Sequence, residues 1–257
     1  MQPDRDFLFE LADAAAQRSL PLFRQPLTVD NKLVSAFDPV TEADRGAEQA
    51  MRALIEATFP DHAILGEEYG LSGDGRFCWV LDPIDGTRAF ISGLPVWGTL
   101  IGLMTDGRAT LGLMDQPYIG ERFWADESGG WVEGPAGRTA LKVRATTELS
   151  QATLFTTSPR LFAGEALDRF EKLENQARLT RFGVDCYAFA MLAAGHADLV
   201  VEAGLKPYDI VALIPLIEAA GGVVTTFSGE RAEVGGNVIA AATPELHEAA
   251  LGILAGG

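Results

Sequence analysis

Cysteine and histidine are scarce in this chain of 257 residues. Two cysteines, Cys78 and Cys186, are too few for a disulfide framework, and no CxxC motif indicates a zinc site or a redox pair. The three histidines, His62, His196 and His247, lack the HxxxH or HExxH spacing that binds zinc. We expect the cysteines to be small buried hydrophobic residues and the histidines to be surface or packing residues.

Positive charge is also in short supply. The chain has 20 Lys and Arg against 36 Asp and Glu, which gives a formal net charge of −16. No run of basic residues reverses this charge locally, so the chain repels phosphate backbones and anionic lipid headgroups. We therefore expect neither nucleic acid nor a membrane surface to be a partner.

Long hydrophobic runs and targeting signals are missing as well. Residues 1–10 contain no basic segment followed by an apolar one, as a secretory signal would. The longest apolar stretch, residues 95–104, is interrupted by glycine and has about half of the roughly 20 residues that a membrane span needs. These features predict a protein that stays in the cytoplasm.

The hydrophobic content is nevertheless high, at 47% of all positions. A chain of this length and composition can bury a substantial core, as one large domain or as two smaller ones. Disorder is therefore not expected.

Hydrophobic periodicity in the first half predicts helices followed by strands. Apolar residues recur at helical spacing in residues 6–23, where Pro21 interrupts them, and again in residues 41–59. Short apolar runs then predict strands at residues 77–81, 96–104, 110–114 and 121–125, with glycine-containing turns between them. This spacing indicates an antiparallel meander.

The pattern changes after residues 133–138, where glycine and proline concentrate. Strands are predicted at residues 154–157, 179–182, 199–202, 223–227 and 238–242, and helices at 165–174, 187–194, 209–220 and the C-terminus. Such alternation indicates α/β layering. We expect an N-terminal α+β domain over residues 1–138 and a C-terminal α/β domain over residues 139–257.

Carboxylates mark the ends of several predicted elements. Asp82 and Asp85, in LDPIDGT, follow a strand of buried character, and the turn fixed by Pro83 would bring them together just beyond it. Other acidic residues lie at further element edges: Asp44, Glu67, Glu68 and Asp209. An oxygen-only set of this kind suits a hard cation such as Mg²⁺ rather than zinc.

Each of these residues also has an ordinary structural explanation. Asp82 can form an Asx turn, residues 41–44 match a helix capping box, and Asp209 can be the N-cap of its helix. Thr87, behind Asp85, can likewise be an N-cap. Clustered negative charges repel one another unless a cation neutralises them, however, so the set favours a metal site if the fold gathers it.

Several other catalytic motifs are missing from the sequence. It has no GxxxxGK[ST], no GxSxG and no GxGxxG that opens a helix, which argues against a nucleotide P-loop, a hydrolase nucleophile elbow and a dinucleotide-binding fold. DxxDGT also differs from the DxD spacing that an aspartyl-phosphate mechanism requires.

Four motifs together carry a resemblance to a known family: DPVTEAD at 38–44, GEE at 66–68, DPIDGT at 82–87 and YD at 208–209. With these motifs in the expected order over most of its length, the chain resembles the inositol monophosphatase family of magnesium-dependent, lithium-sensitive phosphatases. The resemblance implies an α/β fold with an α+β N-terminal half, layered as an αβαβα sandwich, and a homodimer. It also implies hydrolysis of a small-molecule phosphomonoester by direct attack of water, with two or three Mg²⁺ ions.

The resemblance also implies a role for each motif residue. The first metal would be bound by Glu67, Asp82, the carbonyl of Ile84 and Thr87. The second metal would be bound by Asp82, Asp85 and Asp209, and Glu67 would also contact a third, weaker one. Asp44 and Thr87 would orient the attacking water. Tyr208 stands where many members carry a tryptophan. In the family this residue has a packing role.

Longer segments resemble one branch of this superfamily, the histidinol-phosphate phosphatases. They are DPIDGTRAFISGLPVWGTLIGL, DQPYIGERFW, FGVDCYAFAMLAAG and DLVVEAGLKPYDIVALIPLIEAAGG. Members that act on inositol phosphates usually show DGTxNF and a WD pair, which residues 88–90 and 206–208 replace with RAF and KPY. The resemblance therefore implies histidinol phosphate as the substrate, in histidine biosynthesis.

A pocket for histidinol phosphate should offer carboxylates to its ammonium and imidazole, and Asp185 and Glu202 are the candidates. Substrate contacts are also expected from Asp85, Gly86, Thr87 and Asp209. Because a carboxylate also accepts hydrogen bonds from sugar hydroxyls, an inositol or sugar phosphate is the alternative substrate. A non-catalytic binding protein of the same fold is a further alternative. For Glu202 itself, the alternative to substrate recognition is that it merely ends the strand at residues 199–202 in solvent.

Overall fold

Two helices lie near the N-terminus of the computed structural model, which describes residues 3–26, 28–31 and 39–256. Helix α1 (Arg5–Ser19) begins after Asp4, whose side chain accepts a hydrogen bond from the N–H of Phe7 at 3.1 Å. Helix α2 (Glu42–Thr58) begins after Thr41. Both predicted helices are confirmed. Asp38, the first residue of DPVTEAD, lies outside the described residues.

The strands of the first half form a mixed sheet. A separate short pair, β1 (Asp30–Asn31) and β2 (Pro39–Val40), precedes it in the chain. The strands of the sheet are β3 (Ala63–Gly66), β4 (Gly70–Ser72), β5 (Phe77–Asp85), β6 (Gly98–Thr105), β7 (Arg108–Gln116), β8 (Glu121–Asp126), β9 (Gly129–Gly134) and β10 (Gly137–Ala140). Among the described residues the sheet has these eight strands, in the order β10-β9-β8-β7-β6-β5-β3-β4. From β5 to β10 every neighbouring pair is antiparallel, which confirms the predicted meander, whereas β3 pairs with β5 in parallel. Helix α3 (Thr87–Ile91) follows β5.

The second half forms another mixed sheet. Its strands are β11 (Thr153–Thr156), β12 (Leu179–Phe182), β13 (Leu199–Leu205), β14 (Val223–Thr226) and β15 (Gly236–Ala241). Within the described part of the chain, these five strands lie in the order β12-β11-β13-β15-β14. Its helices are α4 (Glu165–Glu174), α5 (Cys186–Ala193), α6 (Pro207–Ile210), α7 (Leu213–Ala219) and α8 (Pro244–Leu254), with short 3-10 helices at Leu149–Gln151 and Pro159–Leu161.

Three hydrophobic clusters stack these elements into layers. Helices α1 and α2 pack on one face of the first sheet, where Leu8 of α1 and Met51 of α2 share a hydrophobic cluster with Trp79 of β5. Helices α5 and α7 lie between the two sheets, and α4 and α8 cover the outer face of the second sheet. The order helix, sheet, helix, sheet, helix confirms the predicted αβαβα sandwich.

Close backbone packing joins the first sheet to the segment between α6 and α7. A Cβ on Gly112 of β7 would lie 2.0 Å from the carbonyl oxygen of Ala212, so only glycine fits at this contact. The helices of the second half therefore rest directly on the first sheet, where the candidate site lies.

Some predicted boundaries were wrong. The single helix predicted at residues 209–220 is two helices, α6 and α7, with Pro215 as the third residue of α7. In one continuous helix the ring of Pro215 would clash with the carbonyl of Val211, whereas near a helix start its missing N–H costs nothing. The strand predicted to end at Glu202 continues to Leu205, with an irregularity between the two residues.

Residues 133–138 lie in the β9–β10 hairpin, whose turn is at residues 135–136. The division of the chain into domains at residue 138 stays a prediction. In the part of the chain that the structure describes, no helix is both long and apolar enough to cross a membrane.

The histidines are surface or packing residues, as predicted. His62 stacks against the rings of Phe59 and Phe77, with centroids 4.8 Å and 4.7 Å away. His247 is buried, and burial lowers its pKa, while His196 is exposed. Of the cysteines, both of which are free thiols, Cys186 is buried and Cys78 is half-buried.

Candidate active site

The end of β5 forms the base of the candidate site. Asp82 is 2% exposed, and its Oδ1 accepts a hydrogen bond from the N–H of Ile84 at 3.0 Å. The predicted Asx turn is therefore present. Thr99 supports the turn from β6 by donating its hydroxyl to the carbonyl of Pro83 at 2.8 Å. The pairing of β5 with β6 becomes irregular between Asp82 and Asp85, which gives the two carboxylates room to face the same point.

Three carboxylates from distant parts of the chain meet there. One oxygen each from Asp82, Asp85 and Asp209 lie within 4.8 Å of one another. Asp209 is the third residue of α6, and its Oδ2 accepts a hydrogen bond from the N–H of Lys206 at 2.6 Å. The alternative that Asp209 is the N-cap was therefore wrong, because Lys206 holds that position.

The electrostatics of this cluster favour a bound cation. Burial raises the pKa of Asp82 well above its ordinary value, and the charge of the neighbouring Glu67 raises it further. Burial likewise raises the pKa of Asp85, as do the charges of Asp185 and Asp209. Buried carboxylates that repel one another and offer only oxygen ligands fit a hard divalent cation such as Mg²⁺.

Glu67 lies beside this cluster. It is the first residue of the turn between β3 and β4, and its N–H donates to the carbonyl of Leu81 at 3.2 Å. That bond places Glu67 next to the strand position before Asp82. The N–H of the next residue, Glu68, donates to the Glu48 carboxylate at 2.7 Å.

Asp44 and Thr87 are in contact, as the resemblance implied. The Thr87 hydroxyl lies 3.4 Å from Oδ1 of Asp44 and 3.1 Å from the carbonyl oxygen of Ile84. The other Asp44 oxygen, Oδ2, accepts bonds from the N–H and the hydroxyl of Thr41, at 2.8 Å and 2.6 Å. The capping box is therefore present, and it leaves Oδ1 directed at Thr87. Burial raises the pKa of Asp44.

Thr87 is the first residue of α3, and Gly86 is its N-cap. The alternative that Thr87 is a helix N-cap was therefore wrong. Gly86 has a φ of 84°, and a Cβ there would lie 3.1 Å from the Cβ of Asp185. Glycine at this position thus allows the left-handed turn and the close approach of Asp185.

A cavity of about 150 Å³ opens beside the carboxylate cluster. It is lined by Asp85, Thr157, Leu161, Asp185, Cys186, Phe189, Glu202, Leu205 and Asp209. Both carboxylates predicted for substrate recognition, Asp185 and Glu202, therefore share a cavity with Asp85 and Asp209. Burial raises the pKa of Asp185 to about 6, and the charge of Arg88 opposes this shift.

Glu202 is only 2% exposed. Its Oε1 accepts a hydrogen bond from the N–H of Thr157 at 2.6 Å, and burial raises its pKa to about 8. The alternative that Glu202 ends its strand in solvent was therefore wrong. The strand continues past Glu202, and the Glu202 side chain lines the cavity instead of lying at the surface.

Sequence reasoning missed several residues that hold the site together. Glu48 lies one helical turn after Asp44 on α2, and that i, i+4 spacing was the available signal. Thr157 and Cys186 had no such signal. Both act through their backbone N–H groups, which donate to Glu202 and to Asp85, and the fold brings these groups in from distant parts of the chain.

Comparison with known proteins identifies the class of this protein. A family model described as the inositol monophosphatase family matches residues 1–255. The solved structure of an inositol monophosphatase from Zymomonas mobilis superposes with a TM-score of 0.87 at 44% sequence identity, covering 97% of this chain and 96% of that one. The chain belongs to the inositol monophosphatase family of phosphatases, which confirms the resemblance carried by the four motifs.

Proteins related to this chain have been given different functional names. A bifunctional phosphatase, IMPL2, from Arabidopsis thaliana chloroplasts is 42% identical over 258 residues, covering 94% of this chain and 72% of that protein. A histidinol-phosphatase from Chlorobaculum parvum is 37% identical over 247 residues, covering 94% of this chain and 93% of that protein. The family is thus shared by relatives whose names indicate different substrates.

Proposed function

We propose that this protein is a Mg²⁺-dependent histidinol-phosphate phosphatase, which converts L-histidinol phosphate to L-histidinol and phosphate. The observation that carries the proposal is the position of Asp185 and Glu202 in one cavity with Asp85 and Asp209. Two carboxylates beyond the proposed metal ligands, Glu202 buried and Asp185 half-buried, suit a substrate that carries positive charge close to its phosphate. Histidinol phosphate has such charge on its ammonium and imidazole groups. The 37% identity to a histidinol-phosphatase supports the same substrate.

The proposed metal ligands are those that the family resemblance implied: Glu67, Asp82, the carbonyl of Ile84, Asp85, Thr87 and Asp209. The oxygen-only donors and the raised pKa values of Asp82 and Asp85 support this assignment. When bound, Mg²⁺ activates the attacking water, holds the phosphate and neutralises charge on the leaving alkoxide.

Asp44 and Thr87 are proposed to orient the attacking water and to receive its proton. If the Thr87 hydroxyl donates to the carbonyl of Ile84, its oxygen keeps a lone pair beside Oδ1 of Asp44. A water that donates to both oxygens is then held in one orientation, which lowers the entropic cost of attack. Burial raises the pKa of Asp44, which makes its carboxylate a stronger base and a better proton acceptor.

An inositol or sugar phosphate is the second candidate substrate. Its support is the 44% identity to an inositol monophosphatase, together with the ability of Asp185 and Glu202 to accept hydrogen bonds from hydroxyl groups. A non-catalytic role has less support, because every motif residue that the family resemblance requires is present in the sequence.

We also propose that the protein is a cytoplasmic homodimer. Leu179 and Phe182 on the edge strand β12 are each 46% exposed, and a second copy of the chain would bury such side chains. Analytical ultracentrifugation of the wild type beside a Leu179→Ser, Phe182→Ser variant tests this assembly.

Phosphate release from three substrates tests the proposed function: histidinol phosphate, inositol 1-phosphate and p-nitrophenyl phosphate, each with Mg²⁺ and with EDTA. We expect Mg²⁺-dependent turnover with the highest kcat/KM for histidinol phosphate. A higher kcat/KM for inositol 1-phosphate would transfer the proposal to the second candidate. Turnover that is unchanged in EDTA would overturn the metal assignment.

A further inference from the structure

The turn of residues 67–69, which we call the Glu67 turn, is held by a buried carboxylate outside the metal cluster. Glu48 of α2 is 0% exposed. Its Oε2 accepts the N–H of Glu68 at 2.7 Å, and its Oε1 lies 3.3 Å from the N–H of Tyr69. Successive backbone donors of the turn therefore point at one charged acceptor, an arrangement stronger than a neutral hydrogen bond.

Arg52, one helical turn after Glu48, completes this arrangement. Its Nε donates to Oε1 of Glu48 at 2.7 Å, and its Nη1 donates to the hydroxyl of Ser72 at 2.9 Å. Its Nη2 donates to the carbonyl of Gly70, where the hairpin returns as β4. The Glu48–Arg52 pair thus contacts the turn and the strand that follows it, and each charge is compensated by the other.

The space beside Gly66 confirms how closely Glu48 approaches the turn. A Cβ on Gly66 would lie 1.9 Å from Oε1 of Glu48, and no backbone atom lies as close. The carboxylate therefore occupies the volume that a side chain at position 66 would need. This contact gives a physical reason for glycine as the first residue of the GEE motif.

Glu67 lies between two anchors. On one side its own N–H donates to the carbonyl of Leu81, beside Asp82. On the other side the next peptide N–H, that of Glu68, donates to Glu48. Asp44, four residues before Glu48, lies on the same face of α2 and contacts Thr87. One face of α2 therefore contacts both the Glu67 turn and the residues proposed to orient water.

We infer that Glu48, supported by Arg52, is a positioning residue that sets the direction of the Glu67 side chain toward the metal cluster. This inference rests on the proposed role of Glu67 as a metal ligand. Without Glu48 the N–H groups of Glu68 and Tyr69 would lose this acceptor, and the Glu67 carboxylate would sample more orientations. Removing a group that orients a metal ligand typically costs about 10- to 100-fold in metal affinity.

The experiment compares Glu48→Gln with the wild type by two readouts of Mg²⁺ binding. The first is the Mg²⁺ concentration that gives half of the maximal rise in Tm. The second is the Mg²⁺ concentration that half-saturates hydrolysis of p-nitrophenyl phosphate. We expect both to rise by about 10- to 100-fold in Glu48→Gln. The kcat at saturating Mg²⁺ should fall much less, because the reacting groups remain in place.

Asp198→Asn is the matched control. Asp198 is also a buried carboxylate, which accepts the N–H of Thr153 at 2.8 Å and pairs with Arg144 at 3.1 Å, but it lies outside the candidate site. This variant should lose stability as Glu48→Gln does, while its two half-saturating Mg²⁺ concentrations stay at the wild-type values. Equal shifts in both variants would show that loss of stability alone explains the effect and would overturn the inference.

Gly66→Ala is a second, independent variant in case Glu48→Gln fails to fold. The added methyl group would displace the Glu48 carboxylate without removing its charge, so the half-saturating Mg²⁺ concentrations should again rise. Wild-type concentrations in a folded Glu48→Gln or Gly66→Ala variant would overturn the positioning role alone. If Mg²⁺ raised neither the Tm nor the activity of the wild-type protein, the proposed function would be overturned, and this inference with it.

Discussion

Oδ2 of Asp85 accepts a hydrogen bond from the backbone N–H of Cys186 at 2.7 Å. Asp85 ends β5 in the first sheet, while Cys186 begins α5, the helix that packs between the two sheets. The N-terminus of a helix carries partial positive charge, so this contact favours the ionised carboxylate against the effect of burial. Asp85, a proposed metal ligand, is therefore oriented by a contact between the two halves of the chain.

Asp85→Asn should keep the fold and reduce phosphatase activity to background. The amide oxygen can still accept the N–H of Cys186, but the lost charge weakens metal binding and relieves repulsion in the metal-free protein. A gain of about 1 kcal/mol would raise the metal-free Tm by about 2–4 °C at this chain length. Calorimetry in EDTA and rates in dilute Mg²⁺ measure both effects.

The control for Asp85→Asn is Asp115→Asn. Asp115 is an aspartate of the same sheet that is 3% exposed, and it pairs with Arg122 at 2.8 Å away from the carboxylate cluster. This control should lower the Tm and keep the Mg²⁺-dependent rate. Wild-type turnover by Asp85→Asn in dilute Mg²⁺ would show that the two-metal assignment is wrong.

Thr87→Ala should lower kcat by about 10²- to 10⁴-fold, with a much smaller change in KM. The reason is that its hydroxyl lies between Asp44 and the carbonyl of Ile84, where it can orient water without binding the leaving group. Thr87→Ser keeps a hydroxyl on the same backbone and should recover most of the rate. Steady-state kinetics with p-nitrophenyl phosphate separate the two constants. A normal kcat in Thr87→Ala would leave the threonine with a structural role only.

Mg²⁺ binding should tighten as the pH rises above the ordinary aspartate range. In the metal-free protein, burial and neighbouring charges raise the pKa values of Asp82 and Asp85, so both carboxyl groups retain protons above the ordinary aspartate range. A metal ion must displace those protons, and this cost disappears as the pH passes the raised pKa values. Isothermal titration calorimetry in buffers of different ionisation enthalpy would count the protons released. Binding that is independent of pH, with no proton release, would contradict the raised pKa values.

Hydrophobic periodicity was enough to predict most of the helices and strands, because it reports which face of each element is buried. The meander followed from short apolar runs, and the αβαβα order followed from the family motifs. Periodicity failed where glycine replaces apolar residues, as in β9 and β10. It also failed in the predicted helix at residues 209–220, where Pro215 permits a helix start but not a helix interior.

The candidate site was predictable where its residues are close in sequence, as in residues 82–87. Its supports were not predictable, because they depend on backbone donors from distant elements. The N–H of Cys186 contacts Asp85, and the N–H of Thr157 contacts Glu202. Because these donors are backbone groups, the residue type at each position does not reveal the contact. Glu48 is intermediate, since its spacing from Asp44 is visible in the sequence but its burial against the Glu67 turn is a tertiary effect.

Glu202→Gln tests the proposed substrate directly. The amide oxygen can still accept the N–H of Thr157, so the fold should persist. The variant loses the negative charge that Glu202 carries above its pKa of about 8, or at lower pH when a cationic group pairs with it. If Glu202 pairs with a cationic group of histidinol phosphate, breaking that buried pair should cost about 3–5 kcal/mol. The kcat/KM for histidinol phosphate would then fall by about 10²- to 10⁴-fold.

The comparison that decides the role of Glu202 is between two substrates of the same variant. Turnover of p-nitrophenyl phosphate depends on the metal cluster and should change little in Glu202→Gln, because this substrate offers the carboxylate no positive charge. Glu233→Gln is the matched control, since Glu233 is also buried but pairs with Arg231 at 2.6 Å, outside the cavity. It should leave the ratio of the two kcat/KM values at the wild-type level. Equal losses on both substrates in Glu202→Gln, or no loss on either, would remove the basis for assigning Glu202 to substrate recognition.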